Sequence, residues 1–205
     1  MPRRLPHDHD EMRARAVAAA RAMVTRGGLP ALTARAVAAE LGCAVGSLYN
    51  LFVDLDDLVL HVAASVVDDL DAALFAEALP DDAGAALTEI ALRYVRFAAS
   101  EGRVWSMVFE HEPSHDRPTP RRHLDRIAAL LARVRTIAAP ALGADPARVA
   151  FDVEALWAAV HGVAALAQKH KLGFVTETPA EDLARRLVGA FLPEGPNAVA
   201  KRSVS

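Results

Sequence analysis

The chain has 205 residues, a formal net charge of −3, 53% hydrophobic residues and only 5% aromatic residues. Much of the hydrophobic content is alanine, the strongest helix former and a poor strand former, so the composition favours an all-α protein. The one cysteine excludes an intramolecular disulfide. The sequence has neither a run of about 18 uncharged apolar residues nor a signal-peptide centre, so we expect a cytoplasmic protein without a membrane span.

The charge is distributed unevenly along the chain. Residues 1–53 contain seven arginines and four acidic residues, whereas residues 54–82 contain nine acidic residues and no lysine or arginine. The excess of positive charge in the first segment favours contact with a polyanion such as DNA, provided that two copies bind together.

The spacing of apolar residues predicts about nine helices. A loose arm over residues 1–9 precedes them, in which Arg3 and Arg4 could follow DNA or could simply be solvated. Phe109 and Leu124 fall on apolar stripes and are expected to face inward. The first two helices are expected over residues 10–26 and 34–41, and the third is expected to begin at about residue 45. The other six are expected over residues 54 to about 79, 83 to about 100, 103 to about 110, 120–139, 146 to about 171, and 179 to about 191.

Start and stop signals define several helix ends. Thr33 is expected to cap the second helix and Asp54 the fourth, because their side-chain oxygens can accept from an unpaired backbone N–H. Gly42 is expected to end the second helix in a left-handed conformation. The seventh helix is expected to stop before Pro140, and residues 178–181 match a capping box at the start of the ninth.

The segment Leu32–Leu58 has the pattern of a helix-turn-helix. Val37 and Leu41, four residues apart, lie on one face of its first helix. Its second helix carries Leu48 and Phe52 on the inner face. In such a motif the second helix lies in the major groove of DNA.

The outward face of that second helix is small and polar, so it can enter a groove without a steric clash. Ser47 and Asn50 can reach base edges or phosphates, and Tyr49 can donate to a phosphate oxygen. The alternative is an ordinary surface helix pair in a helical bundle. The residues expected at the DNA are Thr33, Arg35, Ala44, Val45, Gly46, Ser47, Tyr49 and Asn50.

The same stretch resembles the DNA-binding domain of the TetR family of transcriptional regulators, over roughly residues 10–62. Two departures from the family pattern matter. The family usually has Ser-Lys where this chain has Ala44-Val45, and a lysine that meets a phosphate where Leu55 stands. The shared positions are Leu32, Thr33, Val37, Ala38, Gly42, Gly46, Ser47, Leu48, Tyr49, Phe52, Asp57 and Leu58.

The resemblance implies a DNA-binding domain over residues 1–55 and a helical regulatory and dimerisation domain over residues 56–205. It implies a sequence-specific regulator, most often a repressor released by a small-molecule effector. Such a regulator binds a palindromic operator as a homodimer joined by its last two helices. We expect no enzyme activity, catalytic residue, metal or cofactor.

An effector site is expected among the helices that follow the DNA-binding domain, because pockets between bundle helices are common. The Trp157-x-x-x-His161-Gly162 run resembles a C-terminal domain variety found in some family members, although these residues could equally be plain core or interface residues. Aromatic residues at helical spacing are also more often core than ligand contacts. The candidate effector residues are Tyr94, Phe97, Trp105, Phe109, His111, Trp157 and His161.

Two other functions remain open from the sequence. The departures from the family pattern would fit a degenerate helical module that only dimerises or binds a ligand and no longer binds DNA. In addition, His111 and His115 match the His-Glu-x-x-His string of zinc hydrolases. Pro113 argues against that chemistry, because it breaks the helix on which both histidines would have to lie.

Overall fold

The computed structural model describes residues 6–112 and 120–193. Within these residues it contains nine α-helices, two short 3-10 turns at Leu29–Ala31 and Leu172–Phe174, and no strand, which confirms the predicted fold class. The helices are α1 (Pro6–Gly27), α2 (Ala34–Leu41), α3 (Val45–Tyr49), α4 (Leu55–Phe75), α5 (Ala83–Glu101), α6 (Arg103–Glu110), α7 (Arg121–Leu142), α8 (Pro146–Gln168) and α9 (Ala180–Phe191).

The described residues form two compact units. The first, which we call the head unit, comprises the described residues up to Asp69 together with those of Glu101–Arg126. The second, which we call the core unit, comprises Leu70–Ser100 and the described residues from Ile127 onward. The predicted DNA-binding domain, residues 1–55, covers only part of the head unit. Its border at residue 55 stays a prediction.

Apolar residues from α1, α2, α4 and α6 hold the head unit together. Val24, Val37 and Leu58 are fully buried, and Trp105 is 1% exposed. Burying side chains of this size stabilises the unit by about 1.5–3 kcal/mol each relative to leaving them in water.

The core unit is built around α5, in which ten residues are buried, Leu87, Ile90 and Tyr94 among them. The middle of α8 contributes a buried row at helical spacing. α9 packs against α8 and buries Ala184 and Val188. Buried residues at this spacing are what an amphipathic helix places toward its neighbours.

α4 ends at Phe75, four residues before the end predicted at Leu79. The Arg93 guanidinium of α5 donates to the carbonyl of Leu74 at 2.9 Å and to that of Glu77 at 3.0 Å. The first bond satisfies a carbonyl of the last turn, which has no partner within the helix, and the second holds the segment that follows the helix. A hydrogen bond from α5 therefore stabilises the C-terminal end of α4.

α1 begins at Pro6, so the loose arm predicted over residues 1–9 extends four residues too far. Proline suits the first turn of a helix, because the N–H that it lacks would have no helical partner there. Arg3 and Arg4 lie outside the described residues.

The predicted ends of α7 and α8 were also wrong. α7 continues through Pro140, which is exposed and lies in the last turn, where a proline removes only one hydrogen bond. α8 ends at Gln168 instead of about Lys171, because His170 adopts a left-handed φ of 55° that no helix can continue through.

The capping box predicted at the start of α9 does not form. Pro179 occupies the N-cap position and makes no side-chain hydrogen bond. The Thr178 N–H donates instead to the hydroxyl of Thr176, at 3.0 Å. Glu181, the expected partner in the box, pairs with Arg96 on α5.

Two residues predicted to face inward are exposed. Phe109 is 37% exposed and Leu124 is 49% exposed. The Phe109 ring still lies 5.6 Å from the ring of buried Trp105, so it covers the edge of that side chain. Apolar periodicity identifies a face of a helix, but the neighbours that cover the face decide burial.

α8 is apolar over most of its 23 residues. By length and composition alone it could cross a membrane, a test that core helices of soluble proteins also pass, and it carries Asp152 and Glu154. Only 28% of its most apolar stretch is buried in this chain. Phe151 is 70% exposed and Leu166 is 39% exposed. The chain by itself therefore leaves an apolar face of α8 uncovered.

Candidate functional site

A tight turn joins α2 to α3 in the head unit. The Thr33 hydroxyl accepts a hydrogen bond from the Ala36 N–H at 3.1 Å and caps α2. Gly42 ends α2 with a φ of 67°, a conformation that glycine adopts at the lowest cost. The Cys43 N–H then donates to the Ala38 carbonyl at 3.0 Å, which closes the turn. Both predicted signals, the cap and the glycine stop, are confirmed.

The inner face of α3 and the start of α4 fix the turn in place. Leu48 and Phe52 are each 2% exposed, which confirms their predicted burial, but α3 ends at Tyr49, so Phe52 follows the helix instead of lying on it. Asp54 accepts from the Asp57 N–H at 2.8 Å, and the Asp57 carboxylate accepts in turn from the Val53 N–H at 3.2 Å. This reciprocal pair of hydrogen bonds confirms Asp54 as the cap of α4 and orders the segment between α3 and α4.

The opposite face of the motif is open to solvent. Of the eight residues predicted at the DNA, Val45 and Ser47 are half-buried and the other six are exposed. Tyr49 is 50% exposed, and a Cβ added at Gly46 would meet no atom within 4 Å. The helix α3 carries no charged side chain, so positive charge for phosphate contacts must come from elsewhere.

Not all arginines of the head unit are available for that purpose. Arg13 donates to a backbone carbonyl just after α3 at 3.0 Å, and Arg21 pairs with two carboxylates. Arg15, Arg26 and Arg35 are exposed and form no ion pair with any other described residue. Among the described residues up to 53, one copy thus offers three unpaired arginines, a small number for a single subunit to bind DNA.

The core unit contains an apolar cavity of about 70 Å³. Its walls come from the end of α4 and from α5, α7 and α8, and every lining residue is uncharged. The polar side-chain atoms among the lining residues are the hydroxyl of Tyr94 and the indole N–H of Trp157. The lining residues are Leu74, Leu87, Ile90, Ala91, Tyr94, Ile127, Leu130, Leu131, Val134, Val153, Leu156, Trp157 and Val160.

One hydrogen bond joins α5 to α8 at Tyr94, a residue of the cavity wall. The Tyr94 hydroxyl lies 2.8 Å from Nδ1 of His161, and we call these two residues the Tyr94–His161 pair. The Trp157 and His161 rings are 5.2 Å apart at an interplanar angle of 33°. The Trp157–His161 spacing noted in the sequence therefore places one residue in the cavity wall and the other against Tyr94.

The seven candidate effector residues divide between the two units. Tyr94 and Trp157 line the cavity, and His161 bonds to Tyr94. Phe97 is buried in α5 but is not among the lining residues. The other three candidates belong to the head unit. They are Trp105, Phe109 and His111.

Sequence reasoning missed the aliphatic walls of the cavity. Leu74, Leu130 and Val153, for example, come from three different helices. Their only sequence signal is apolar periodicity, which every core residue shares. The aromatic candidates stood out because of their chemistry and not because of their position.

His111 lies at the end of α6, where its Nε2 is 3.2 Å from a carboxylate oxygen of Asp56 at the start of α4. The two side chains are 10% and 17% exposed. His115, the second histidine of the hydrolase-like string, lies outside the described residues. Among the residues that are described, no group of three or more His, Cys, Asp or Glu is placed to hold a metal.

Two family models match the sequence. The model described as bacterial regulatory proteins, tetR family, matches residues 16–62, and that of the tetracyclin repressor-like C-terminal domain matches residues 87–191, half of the chain. The chain belongs to the TetR family. It is a DNA-binding transcriptional regulator, and residues 16–62 contain the whole helix-turn-helix described above.

Solved structures share the fold at low sequence identity. A protein of unknown function from Rhodococcus sp. RHA1 has a TM-score of 0.72 and 22% identity, covering 91% of this chain and 96% of its own. A putative TetR-family regulator from Vibrio parahaemolyticus has a TM-score of 0.63 and 22% identity, with coverages of 90% and 100%.

RolR, solved in complex with resorcinol, has a TM-score of 0.62 and 19% identity, with coverages of 93% and 99%. At these identities the likeness of the three structures concerns the fold alone. A search of curated protein sequences gave no match.

Proposed function

We propose that this TetR-family regulator is a homodimeric, cytoplasmic repressor without enzyme activity, which binds a roughly palindromic operator and leaves it when a small molecule occupies the core unit. The helix α3 of each copy would enter a major groove. The two half-sites would lie about 34–36 Å or a multiple apart. The observation that carries the DNA-binding part is the open, capped helix-turn-helix with its exposed Thr33–Asn50 face.

The uncovered face of α8 supports the homodimer. A helix this apolar, with Phe151 70% exposed, leaves a patch that a soluble monomer rarely shows. α9 packs beside it and ends the described chain. A second copy that places its own α8 and α9 on this patch would bury it, and the pairing would also double the few unpaired cations available for DNA.

The cavity supports release by an effector. Its walls come from helices that are distant in sequence, and an apolar cavity of this kind attracts apolar molecules. An effector releases DNA only if it binds the DNA-free arrangement more tightly than the DNA-bound one. RolR with resorcinol is a protein of the same fold whose structure contains a small ligand.

The rival prediction, a head that no longer binds DNA, is not favoured. The departures at Ala44, Val45 and Leu55 remove expected contacts, yet both caps and the buried inner face of α3 are intact. We expect these departures to weaken phosphate binding without abolishing it. Leu55→Lys should therefore raise DNA affinity and increase the salt slope by about one counterion.

The test is selection of a bound sequence from a random duplex pool, followed by a salt titration on the selected duplex. We expect a palindrome and an affinity that falls steeply as salt rises. Absence of any enrichment at low salt, with the protein folded by circular dichroism, would refute DNA binding by the chain alone.

The dimer is tested separately by sedimentation. Phe151→Glu should convert a dimer to monomers, because it places a charge on the proposed apolar interface. Leu124→Glu is the matched control, since it adds the same charge at a 49% exposed leucine on α7. A monomeric unsubstituted protein, or dimers of both variants, would contradict this interface.

A further inference from the structure

We propose that His111 and Asp56 form an ion pair that fixes the start of α4 for DNA binding, and that the affinity for DNA therefore falls when His111 loses its proton. We call these two residues the His111–Asp56 pair. The inference goes beyond the proposed function, because it gives a positioning role to a histidine that the sequence offered only as an effector contact or a zinc ligand.

The His111–Asp56 pair joins two helix ends within the head unit. His111 is the C-cap residue of α6, and Asp56 lies in the first turn of α4. Nε2 of His111 is 3.2 Å from a carboxylate oxygen of Asp56, and the two side chains are 10% and 17% exposed. The histidine lies at the negative end of one helix dipole and the carboxylate at the positive end of the other, so their charges complement both dipoles.

The contact depends on charge more than on hydrogen-bond geometry. Both ring nitrogens of His111 are buried, and neither forms a hydrogen bond of normal geometry with a described residue. Because the pair is largely shielded from water, a charge on the imidazole attracts the carboxylate more strongly than it would at the surface. Loss of the proton removes this attraction, and no aligned hydrogen bond replaces it.

The start of α4 is connected directly to the helix that faces DNA. Only residues 50–54 separate α3 from α4, and we call them the α3–α4 link. Arg13 of α1 donates to the Leu51 carbonyl in this link at 3.0 Å. His111 holds its other end from α6, and α1 and α6 pack against each other. A link this short passes a displacement of α4 on to α3.

Other charged groups lie around His111. Glu110 and Glu112 flank it in the chain, and both are exposed, so water screens their charges. From α1, the charged contact with α6 is the hydrogen bond between the Arg103 guanidinium and the Arg26 carbonyl, at the opposite end of α6. The shielded carboxylate on α4 is therefore the charge that governs His111.

α4 itself provides a matched comparison. Asp57 shares the first turn with Asp56, and its carboxylate lies 3.9 Å from Nε2 of His61, one turn further along the same helix. Asp54, at the cap, accepts from the Asp57 N–H. The pair of His61 and Asp57 is longer than the His111–Asp56 pair and lies within one helix. Its titration should not change how α6 holds α4.

The test measures affinity for the duplex selected from the random pool at pH 6 and pH 8, by fluorescence anisotropy. Histidine is the side chain that ordinarily changes its charge in this range. The unsubstituted protein should bind about 3–10-fold more tightly at pH 6, the order of one charge-assisted contact. His111→Gln and Asp56→Asn should each remove this difference. Binding that does not depend on pH in the unsubstituted protein, or an undiminished difference in either variant, would overturn the proposal.

The double variant His111→Gln/Asp56→Asn tests whether the two side chains act together. At pH 6 it should bind DNA no more weakly than His111→Gln alone, because each single change already removes the same contact. Additive losses would refute the pair. His61→Gln is the matched control and should retain the difference between pH 6 and pH 8. Loss of the difference in His61→Gln alone would assign the effect to the wrong histidine.

A second measurement does not involve DNA. In His111→Gln at pH 6, amide hydrogen exchange should become faster in residues 50–58 and stay unchanged in α9. Unchanged exchange in residues 50–58, or faster exchange throughout the protein, would contradict a local hold on the α3–α4 link. If no duplex is bound at all, the exchange still decides whether the His111–Asp56 pair fixes this link, and the failure lies in DNA binding itself.

Discussion

The helix-turn-helix and the cavity differ in how the chain builds them. The predicted DNA contacts lie within eighteen consecutive residues, Thr33–Asn50, and six of the eight are exposed. The cavity collects residues from Leu74 to Val160 and from four helices, and its walls are almost entirely apolar. A surface that must meet a long polyanion can be made by one local motif, whereas a pocket that must exclude water needs walls from several elements.

The two sites also use opposite chemistry. The helix-turn-helix has an exposed polar face, and α1 and α2 carry three exposed arginines without an ion pair to a described residue, so we expect DNA binding to depend strongly on salt. The cavity has no charged wall, so its binding should be almost independent of salt. A matched pair of substitutions, one in each site, can therefore separate DNA binding from small-molecule binding.

The largest effects are expected from Leu48→Ala and Leu156→Ala. Both leucines are at most 4% exposed, and their truncation should reduce the free energy of unfolding by about 2–5 kcal/mol. Urea unfolding measures this loss. Leu48→Ala should also abolish DNA binding while small-molecule binding in the cavity persists, because Leu48 supports α3. Leu156→Ala enlarges the cavity and should relax its size selectivity. Identical losses of both activities in both variants would show that the sites are not separable.

The next pair is Tyr49→Phe and Tyr94→Phe, each of which removes one hydroxyl. Tyr49 is 50% exposed, and loss of a presumed phosphate donor should weaken DNA binding about tenfold on every sequence, since a hydrogen bond to a charged group contributes about 1.5–3 kcal/mol. Fluorescence anisotropy with a labelled duplex measures it. Tyr94→Phe should leave the affinity for DNA unchanged without ligand. An unchanged affinity and salt slope in Tyr49→Phe would mean that the assigned docking is wrong.

A smaller effect is expected from the N-caps Thr33→Ala and Asp145→Ala. Thr33 accepts from the Ala36 N–H at 3.1 Å and Asp145 from the Ala147 N–H at 3.0 Å. Each loss should lower the free energy of unfolding by about 1 kcal/mol, seen as a lower Tm. Thr33→Ala should in addition weaken DNA binding, because the cap positions α2. Asp145 caps α8, so Asp145→Ala serves as the control. It should lose the same stability and keep normal affinity for the operator.

The smallest effect concerns the ion pair between α5 and α9 in the core unit. The hydrogen bond from Arg96, and then its charge, lowers the pKa of the Glu181 carboxyl below its ordinary value. The pair therefore stabilises the protein above the ordinary glutamate pKa, and the contribution disappears as the pH falls through the lowered pKa.

Glu181→Gln should reduce the free energy of unfolding by less than about 1 kcal/mol at pH 7, because the pair is exposed. The difference from the unsubstituted protein should vanish in acid. A loss that stays constant down to acid pH would indicate that Gln disturbs packing instead. DNA binding is the control and should not change.

Local signals in the sequence determined much of this protein. The cap at Thr33, the stop at Gly42 and the cap at Asp54 each depend on a hydrogen bond or a backbone conformation within four residues, so sequence alone could predict them. The inward side chains of α3 follow from helical periodicity in the same way. The helix-turn-helix and the all-α fold were predictable for this reason.

Tertiary structure decided what depends on distant residues. α4 ends where Arg93, nearly twenty residues away, donates to its last carbonyls. Tyr94 meets His161 across 67 positions of sequence, and the aliphatic cavity walls have no chemical signature of their own. Phe109 is exposed because no neighbour covers it fully, although its position on an apolar stripe is that of a core residue. Burial, enclosure and long-range pairing are properties of the packed helices, and no local pattern contains them.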